Sequence, residues 1–336
     1  MNMLSGWLLN IIPLAIVAAL VTAVRRASRK PLWAEAIRRL KGNRVALIAL
    51  AVIGLYGTVA FCDSIAWRDD RNAPLLSLVD RVFGRPQEST YSAPLAIRTF
   101  GEPMPRPLLG KHWLGTDGTG QDVVYMTLKG CRTAMIIGGF TLLIATPLAL
   151  FFGMLAGYHG KTVDDAIQYT YTVLDSIPNI LLLVALLMVL GRGLPQLCVA
   201  LGITSWVSLC RLARGETLKH RGREYVRAAR ALGVSHSRIM MRHILPNLLP
   251  VVVIATTLSF SGLVLSEAIL SYLQLGVAAG TGSWGNMIDA SRLELARQPV
   301  IWWNLAAAST ALFVLVLAFN VFGDALRDAI DPRLRS

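Results

Sequence analysis

Seven long apolar stretches punctuate the chain, at about 4–24, 45–61, 134–157, 173–190, 194–209, 248–270 and 300–322. They are continuous and not alternating, which predicts helices and excludes the strands of a membrane barrel. A helix crossing a hydrocarbon core needs roughly 20 apolar residues at 1.5 Å each, and these stretches reach or approach that length. Pro13, Pro147, Pro178 and Gly262 fall inside them. Helices in lipid tolerate such residues when neighbouring helices satisfy the freed backbone groups. Residues 32–41 read as an amphipathic surface helix entering the second stretch, with a simple basic linker as the alternative. Segment 62–133 is rich in Pro, Gly, Asp and Arg and lacks a sustained apolar period. It predicts an external lobe or lid of mostly irregular structure.

Composition narrows the class. Of 336 residues, 54% are apolar and 16% charged, with mean hydropathy +0.54; soluble chains carry roughly 25% charged residues. A soluble enzyme and a disordered chain are both excluded, and four cysteines cannot form a disulfide scaffold. A polytopic α-helical membrane protein remains.

The formal charge of +13 then orients the chain. If all seven stretches cross, segments 25–44, 158–166, 210–247 and 323–336 share one side. They hold 21 basic and 8 acidic residues, so the whole excess lies there. The opposite side holds 12 basic and 10 acidic residues, and its small excess is offset by Asp175 and Glu267 inside the stretches. The basic side is expected to be cytoplasmic, which puts the N-terminus on the periplasmic side. Residues 1–3 contain no Lys or Arg, so an uncleaved anchor is expected in place of a signal peptide.

The longest polar interruption between neighbouring stretches on that side is 211–250. It reads as two helical pieces separated by Gly233-Val234-Ser235. In the first, Tyr225, Ala228, Ala229 and Leu232 recur at helical spacing, opposite Arg223, Arg227 and Arg230. Gly233 suits the left-handed end of a helix, and Ser235 suits an N-cap. Ile239, Met240 and Ile244 then lead into Pro246. A docking knob and a solvated basic loop both fit this pattern.

The run Glu224-Tyr-Val-Arg-Ala-Ala-Arg-Ala-Leu-Gly233, followed by His243-Ile-Leu-Pro-Asn247, resembles the cytoplasmic "EAA" loop of ATP-binding-cassette (ABC) importer permeases. Three more stretches are similar to the peptide/nickel (dipeptide/oligopeptide) branch, C-type: Trp113–Asp122, Leu265–Gly276 with Ser283-Trp-Gly285, and Gly323–Pro332. Together they cover roughly residues 33–336. Arg227 stands where the general pattern has Glu, with Glu224 one turn earlier; Gln121 and Gln274 replace the usual Arg and Gly.

The resemblance implies an all-α six-helix permease core with one extra N-terminal transmembrane helix. The expected parts are an anchor and basic linker at 1–31, an amphipathic helix and first core span at 32–61, and an external loop at 62–133. The permease core at 134–322 contains a coupling loop at 211–247, and a cytoplasmic tail occupies 323–336. The resemblance further implies that Glu224, Tyr225, Arg227, Ala228, Ala229, Gly233, Leu245 and Pro246 meet a cytoplasmic ATPase. The expected partners are a homologous second permease, two ABC ATPase domains, an extracytoplasmic substrate-binding protein and membrane lipid. ATP and Mg would sit on the ATPases, with no cofactor on this chain, in a bacterial inner membrane.

Asp175, three residues before Pro178, and Glu267 are intramembrane acids. Such groups are costly and face a cavity or a partner. They are candidate pore or gate groups, with a structural hydrogen bond or interfacial snorkelling as the alternative.

Other chemistry fails on spacing. Gly160-Lys161-Thr162 lacks the first P-loop glycine, because Leu155 stands there. Gly115–Gly120 lacks the dinucleotide spacing, and the five His show no paired metal-ligand spacing. An intramembrane hydrolase needs a base near Ser259 or Ser261, and no His follows there inside a stretch. A stand-alone ion-coupled carrier needs inverted repeats or a polar core. Cys62 and Cys131 flank the external loop and are expected to be free thiols, with a disulfide in an oxidising compartment as the alternative. Basic loops explained by orientation and anionic lipid give no reason to invoke nucleic acid.

Overall fold

The computed structural model describes residues 4–29, 31–68, 74–100, 104–278 and 280–330. In chain order the elements are α1 (Leu4–Ser28), α2 (Pro31–Gly42), α3 (Arg44–Ser64), β1 (Ala66–Trp67), β2 (Leu76–Ser77), α4 (Leu78–Phe83), α5 (Val123–His159), α6 (Lys161–Ser176) and α7 (Asn179–Leu190). There follow α8 (Leu194–Thr204), α9 (Trp206–Arg221), α10 (Glu224–Ala231), α11 (His236–Arg238), a π-helical turn (Ile239–Ile244), α12 (Leu245–Tyr272), α13 (Trp284–Leu295) and α14 (Trp303–Ile330). The two short strands pair antiparallel, Ala66 opposite Ser77.

Among the described residues, five helical runs are long and apolar enough to cross a membrane: Arg44–Ser64, Val123–His159, Leu194–Arg221, His236–Tyr272 and Trp303–Ile330. The pair α6 and α7 makes a sixth if it crosses once, but it bends by 88°. The expected continuous span at 173–190 is therefore broken. Pro178 has no N–H for the helix ladder, and it pushes Ile177 into an extended conformation, φ −88° and ψ 128°. α1 occupies the stretch expected at 4–24.

The contacts divide the chain into two units, Met1–Ile136 with Glu267–Ser336, and Ile137–Ser266. In the first, Asn43 caps α3 by accepting from the Val45 and Ala46 amides at 3.0 and 3.2 Å. α3 buries the small residues Ala46, Ala49 and Ala60, while Ile48 and Leu55 stay exposed, as a lipid-facing surface requires. The Tyr56 hydroxyl donates to the Ala311 carbonyl of α14 at 3.0 Å. Asn10 of α1 exchanges two hydrogen bonds of 3.0 Å with the Ala66 backbone. α14 runs on to Ile330 and buries Gly323, Ala325 and Leu326. The first eight residues of the expected tail are thus helix, because their apolar face continues the packing beyond the hydrocarbon length; residues 331–336 lie outside the described residues.

The 62–133 segment is less irregular than expected. α5 starts at Val123, not near 134, because Asp122 Oδ1 accepts from the Tyr125 amide at 3.0 Å and caps the helix. Lys129, one turn on, binds Asp63 of α3 at 2.8 Å and Asp80 of α4 at 2.5 Å. Among the described residues of this segment, His112 is buried between two carboxylates. Its Nδ1 lies 2.7 Å from Asp122 and its Nε2 3.1 Å from Glu88. Glu88 also accepts from the Leu109 and Gly110 amides. Cys62 and Cys131 are free thiols.

In the second unit a cluster around Trp206, Cys210, Ile239, Ile244 and Leu248 forms the core. α5 and α9 approach closely there because Gly153 and Gly157 carry no Cβ. Asp164 of α6 takes both a 2.5 Å and a 2.7 Å bond from the Arg214 guanidinium of α9. That fork-on-carboxylate geometry fixes the two helices against each other.

Candidate coupling site

The segment 222–246 joins α9 to α12 through two short helices. α10 forms because Glu224 favours a first turn and five of the next seven residues are good helix formers. It ends on Gly233, whose φ of +74° an L side chain rarely adopts. The Gly233 amide donates to Arg230 and the Val234 amide to Ala229, at 3.0 and 3.1 Å. These two bonds, with Val234 and Ala229 both against the core, are the Schellman ending of a helix. Ser235 occupies the N-cap position of α11 without a side-chain bond.

After α11 the ladder widens into the π-helical turn, and the Leu245 amide reaches back to Met240. Pro246 explains this local widening. It cannot donate, and its ring would crowd the Arg242 carbonyl one turn back in a regular α-helix.

The face of α10 differs from the spacing-based expectation. Val226 and Ala229 are buried in the core, whereas Glu224, Tyr225, Arg227, Ala228 and Leu232 are exposed. Ala229 therefore faces inward and offers no docking surface. Leu245 is half-buried and Pro246 exposed. Over two turns, Val226-x-x-Ala229 and Tyr225-x-x-Ala228 compete as apolar rows, and the tighter row goes to the core. The Tyr225 hydroxyl lies 2.8 Å from His220 Nδ1. The partial burial of its ring raises the Tyr225 phenol above its ordinary value, against the opposing pull of Asn247 and Arg223.

A second set of contacts was invisible in the sequence. The Tyr158 hydroxyl meets His236 Nδ1 at 2.8 Å and accepts from Arg230 Nε at 3.3 Å. These partners lie more than seventy residues away in sequence, so no local pattern could reveal them. The close α5–α9 packing did leave a signal, the small-residue spacing Gly153-x-x-x-Gly157.

The two acids separate. Asp175 is exposed and ion-paired with Arg211 at 2.6 Å, with Arg211 stacked 5.0 Å from the Tyr171 ring centroid. Pro178 is exposed at the adjacent break. Glu267 is only 1% exposed and accepts from Ser271 at 2.8 Å and Ser283 at 2.6 Å. Ser283 in turn caps α13 by accepting from the Gly285 amide. Glu267 thus makes the structural hydrogen bonds that are the alternative to a pore role, and ties the end of α12 to the start of α13. The Ser259 hydroxyl donates to the Ala255 carbonyl of its own helix at 2.8 Å.

A family model described as "Binding-protein-dependent transport system inner membrane component" matches residues 149–336. The oligopeptide transport system permease protein OppC of Bacillus subtilis (strain 168) is 31% identical over 304 residues, covering 90% of this chain and 90% of that protein. The dipeptide transport system permease protein DppC of Alkalihalophilus pseudofirmus is also 31% identical over 304 residues, covering 90% and 91%. Among solved structures, an inward-facing MetNI methionine ABC transporter shares 20% identity at a TM-score of 0.48, over 62% of this chain and 96% of that one. The chain therefore belongs to the binding-protein-dependent transport system inner membrane component family, as a multi-pass inner-membrane permease of the dipeptide/oligopeptide branch.

Proposed function

We propose that this chain is one of two homologous permease subunits of a bacterial peptide importer, moved by two ABC ATPase domains that dock on residues 224–246. The observation that carries the reading is the outward face of α10. Leu232 is 82% exposed there, beside Glu224, Tyr225, Arg227 and Ala228, while the opposite face is fixed in the core. A charged two-turn helix with an exposed leucine, at the joint of two candidate spans, suits a cleft on a partner protein.

On this reading the loop and the C-terminus face the cytoplasm and the N-terminus the periplasm. Asn10 at the Ala66 backbone, with Arg25 and Arg26 at the far end of α1, supports that orientation. A substrate-binding protein docks on the external segments 62–133 and 271–299. Asp175 and Arg211, beside the Pro178 break, are the gate candidates on the passage. Peptide cargo is proposed because the relatives are named for oligopeptides and dipeptides. ATP and Mg bind the ATPases, and this chain makes or breaks no substrate bond.

The test is affinity purification of the tagged chain from its native membrane, paired with uptake. The ATPases should co-purify, and uptake should require ATP. Ala228→Glu and Leu232→Asp should insert normally but lose the ATPases. Gly233→Asp should keep insertion and lose uptake, because there is space for its side chain but its left-handed backbone is strained. Unchanged ATPase recovery and uptake in all three would reject docking at this loop. Transport or cleavage of a peptide by the isolated chain would reject the subunit reading.

A further inference from the structure

In the structure the middle of the coupling segment is bonded to the end of α5, a contact that the docking reading does not require. Tyr158, the penultimate residue of α5, is 3% exposed. The Arg230 guanidinium lies over its ring, 4.9 Å from the centroid. Arg230 Nε donates to the Tyr158 oxygen at 3.3 Å, and the same hydroxyl lies 2.8 Å from His236 Nδ1. With Nδ1 unprotonated the chain of donation closes: guanidinium N–H to phenolic oxygen, phenolic O–H to imidazole nitrogen.

Placement gives this bridge its meaning. Arg230 lies on α10, before the Gly233 turn, and His236 opens α11, after it. One hydroxyl on α5 therefore holds both limbs of the turn. The covalent routes out of α10 are both interrupted. Toward α9 the helix breaks at Gly222, and toward α12 the chain passes through the π-helical turn. A displacement of α10 transmitted only through those joints is absorbed in part by backbone rearrangement.

We propose that Tyr158 is a positioning residue for energy transmission: it clamps both limbs of the Gly233 turn to α5, so that movement of α10 carries the end of α5 with it. The proposal rests on the docking of 224–246 argued above. Tyr158 touches neither nucleotide nor cargo, and it acts through Arg230 and His236.

The test uses the full transporter, with both permeases, the ATPases and the binding protein, in proteoliposomes. The probe is a mixed pool of di- to pentapeptides read by mass spectrometry, alongside ATP hydrolysis. Tyr158→Ala removes ring and hydroxyl, and should lower peptide accumulated per ATP hydrolysed by about tenfold, a typical coupling between sites. Tyr158→Phe keeps the ring and the guanidinium over it but loses both hydrogen bonds, and should lower it by about fivefold, the low end of such couplings. Both variants should retain the ATPases and hydrolyse ATP at near-parent rates; Tyr158→Phe should melt close to the parent, and Tyr158→Ala lower, because it empties a buried site. His236→Ala combined with Tyr158→Phe should add little, because both remove the same bond. A parent-like peptide-to-ATP ratio in Tyr158→Ala overturns the proposal, as does loss of the ATPases from Tyr158→Phe, which would make the residue a structural support only. Ala228→Glu separates the two readings: if it keeps the ATPases bound, docking on α10 fails whatever Tyr158 does.

Discussion

A Cβ built on Gly153 of α5 would lie 2.7 Å from the Cβ of Ala213 on α9 and 2.7 Å from the Cys210 carbonyl. The helix that leads into segment 222–246 is therefore in near-backbone contact with α5. One turn on, Gly157 stands equally close to the Arg214 carbonyl and to Thr217. In lipid such contacts replace the hydrophobic drive for helix association, and they depend on small residues.

Gly153→Val should accordingly destabilise the protein by about 1–3 kcal/mol, the usual penalty for overpacking. Gly139 on the same helix has nothing within 4 Å of its Cβ direction, so Gly139→Ala is the control. Thermal unfolding in detergent should show a lowered Tm for the first and none for the second. Equal behaviour of the two would mean that α5 and α9 are not packed this closely.

Glu267 leads to a different kind of prediction. Its two serine partners hold the turn between α12 and α13, so Glu267→Ala leaves two buried hydroxyls without their acceptor, at about 1–3 kcal/mol each if none finds another. Glu267→Gln keeps a carbonyl oxygen for both and should be milder. Limited proteolysis of the 273–283 turn and the Tm should both rank parent, Gln, then Ala. A normal Tm with altered uptake would return Glu267 to the passage.

The contrast between Glu267 and Gly233 shows what the sequence carried. The apolar stretches, the break at Gly233-Val234-Ser235 and the left-handed glycine depend on local chemistry, and local chemistry is written in order along the chain. The burial of Glu267 among Ser271 and Ser283 was half-legible, since an intramembrane acid announces a partner but not which one. The start of α5 was legible in principle, because Asp122 is an ordinary cap residue; length counting over the apolar run obscured it. The inward face of α10 was not legible, because eight residues offer two rival apolar rows. The Tyr158 bridge depends on tertiary proximity alone.

Acid should act on the 62–133 segment through Asp80. Burial works against its charged form, but hydrogen bonds from Lys129, the Ser77 amide and the Tyr125 hydroxyl prevail and hold its pKa at about 2. A carboxyl held below its unfolded value contributes stability that is complete above about pH 4 and disappears as the pH falls toward its folded pKa. Tryptophan fluorescence melts of parent and Asp80→Asn should differ by a constant margin near neutrality. That margin should shrink between about pH 4 and 2. A margin that grows on acidification would show that Asp80 is not the ionised partner of Lys129.

The Asp175–Arg211 pair separates a gate from a brace. Both side chains are about half exposed, 51% and 44%, and on the proposed passage water screens their attraction. An exposed pair of this kind contributes about 0–1 kcal/mol. Asp175→Asn should therefore leave the Tm almost unchanged. The pair nevertheless bridges α6 to α9 one residue before the helix end at Ser176, where the chain turns by 88°. A weak tie across a break is suited to opening and closing, since its loss shifts the balance between two arrangements at small energetic cost. Asp175→Asn and Arg211→Gln should each change uptake several-fold at unchanged Tm, and the double variant should resemble either single one, because all three remove the same attraction. Parent-like uptake in all three variants would reduce the pair to a surface contact and move the search for a gate to the α7 side of Pro178.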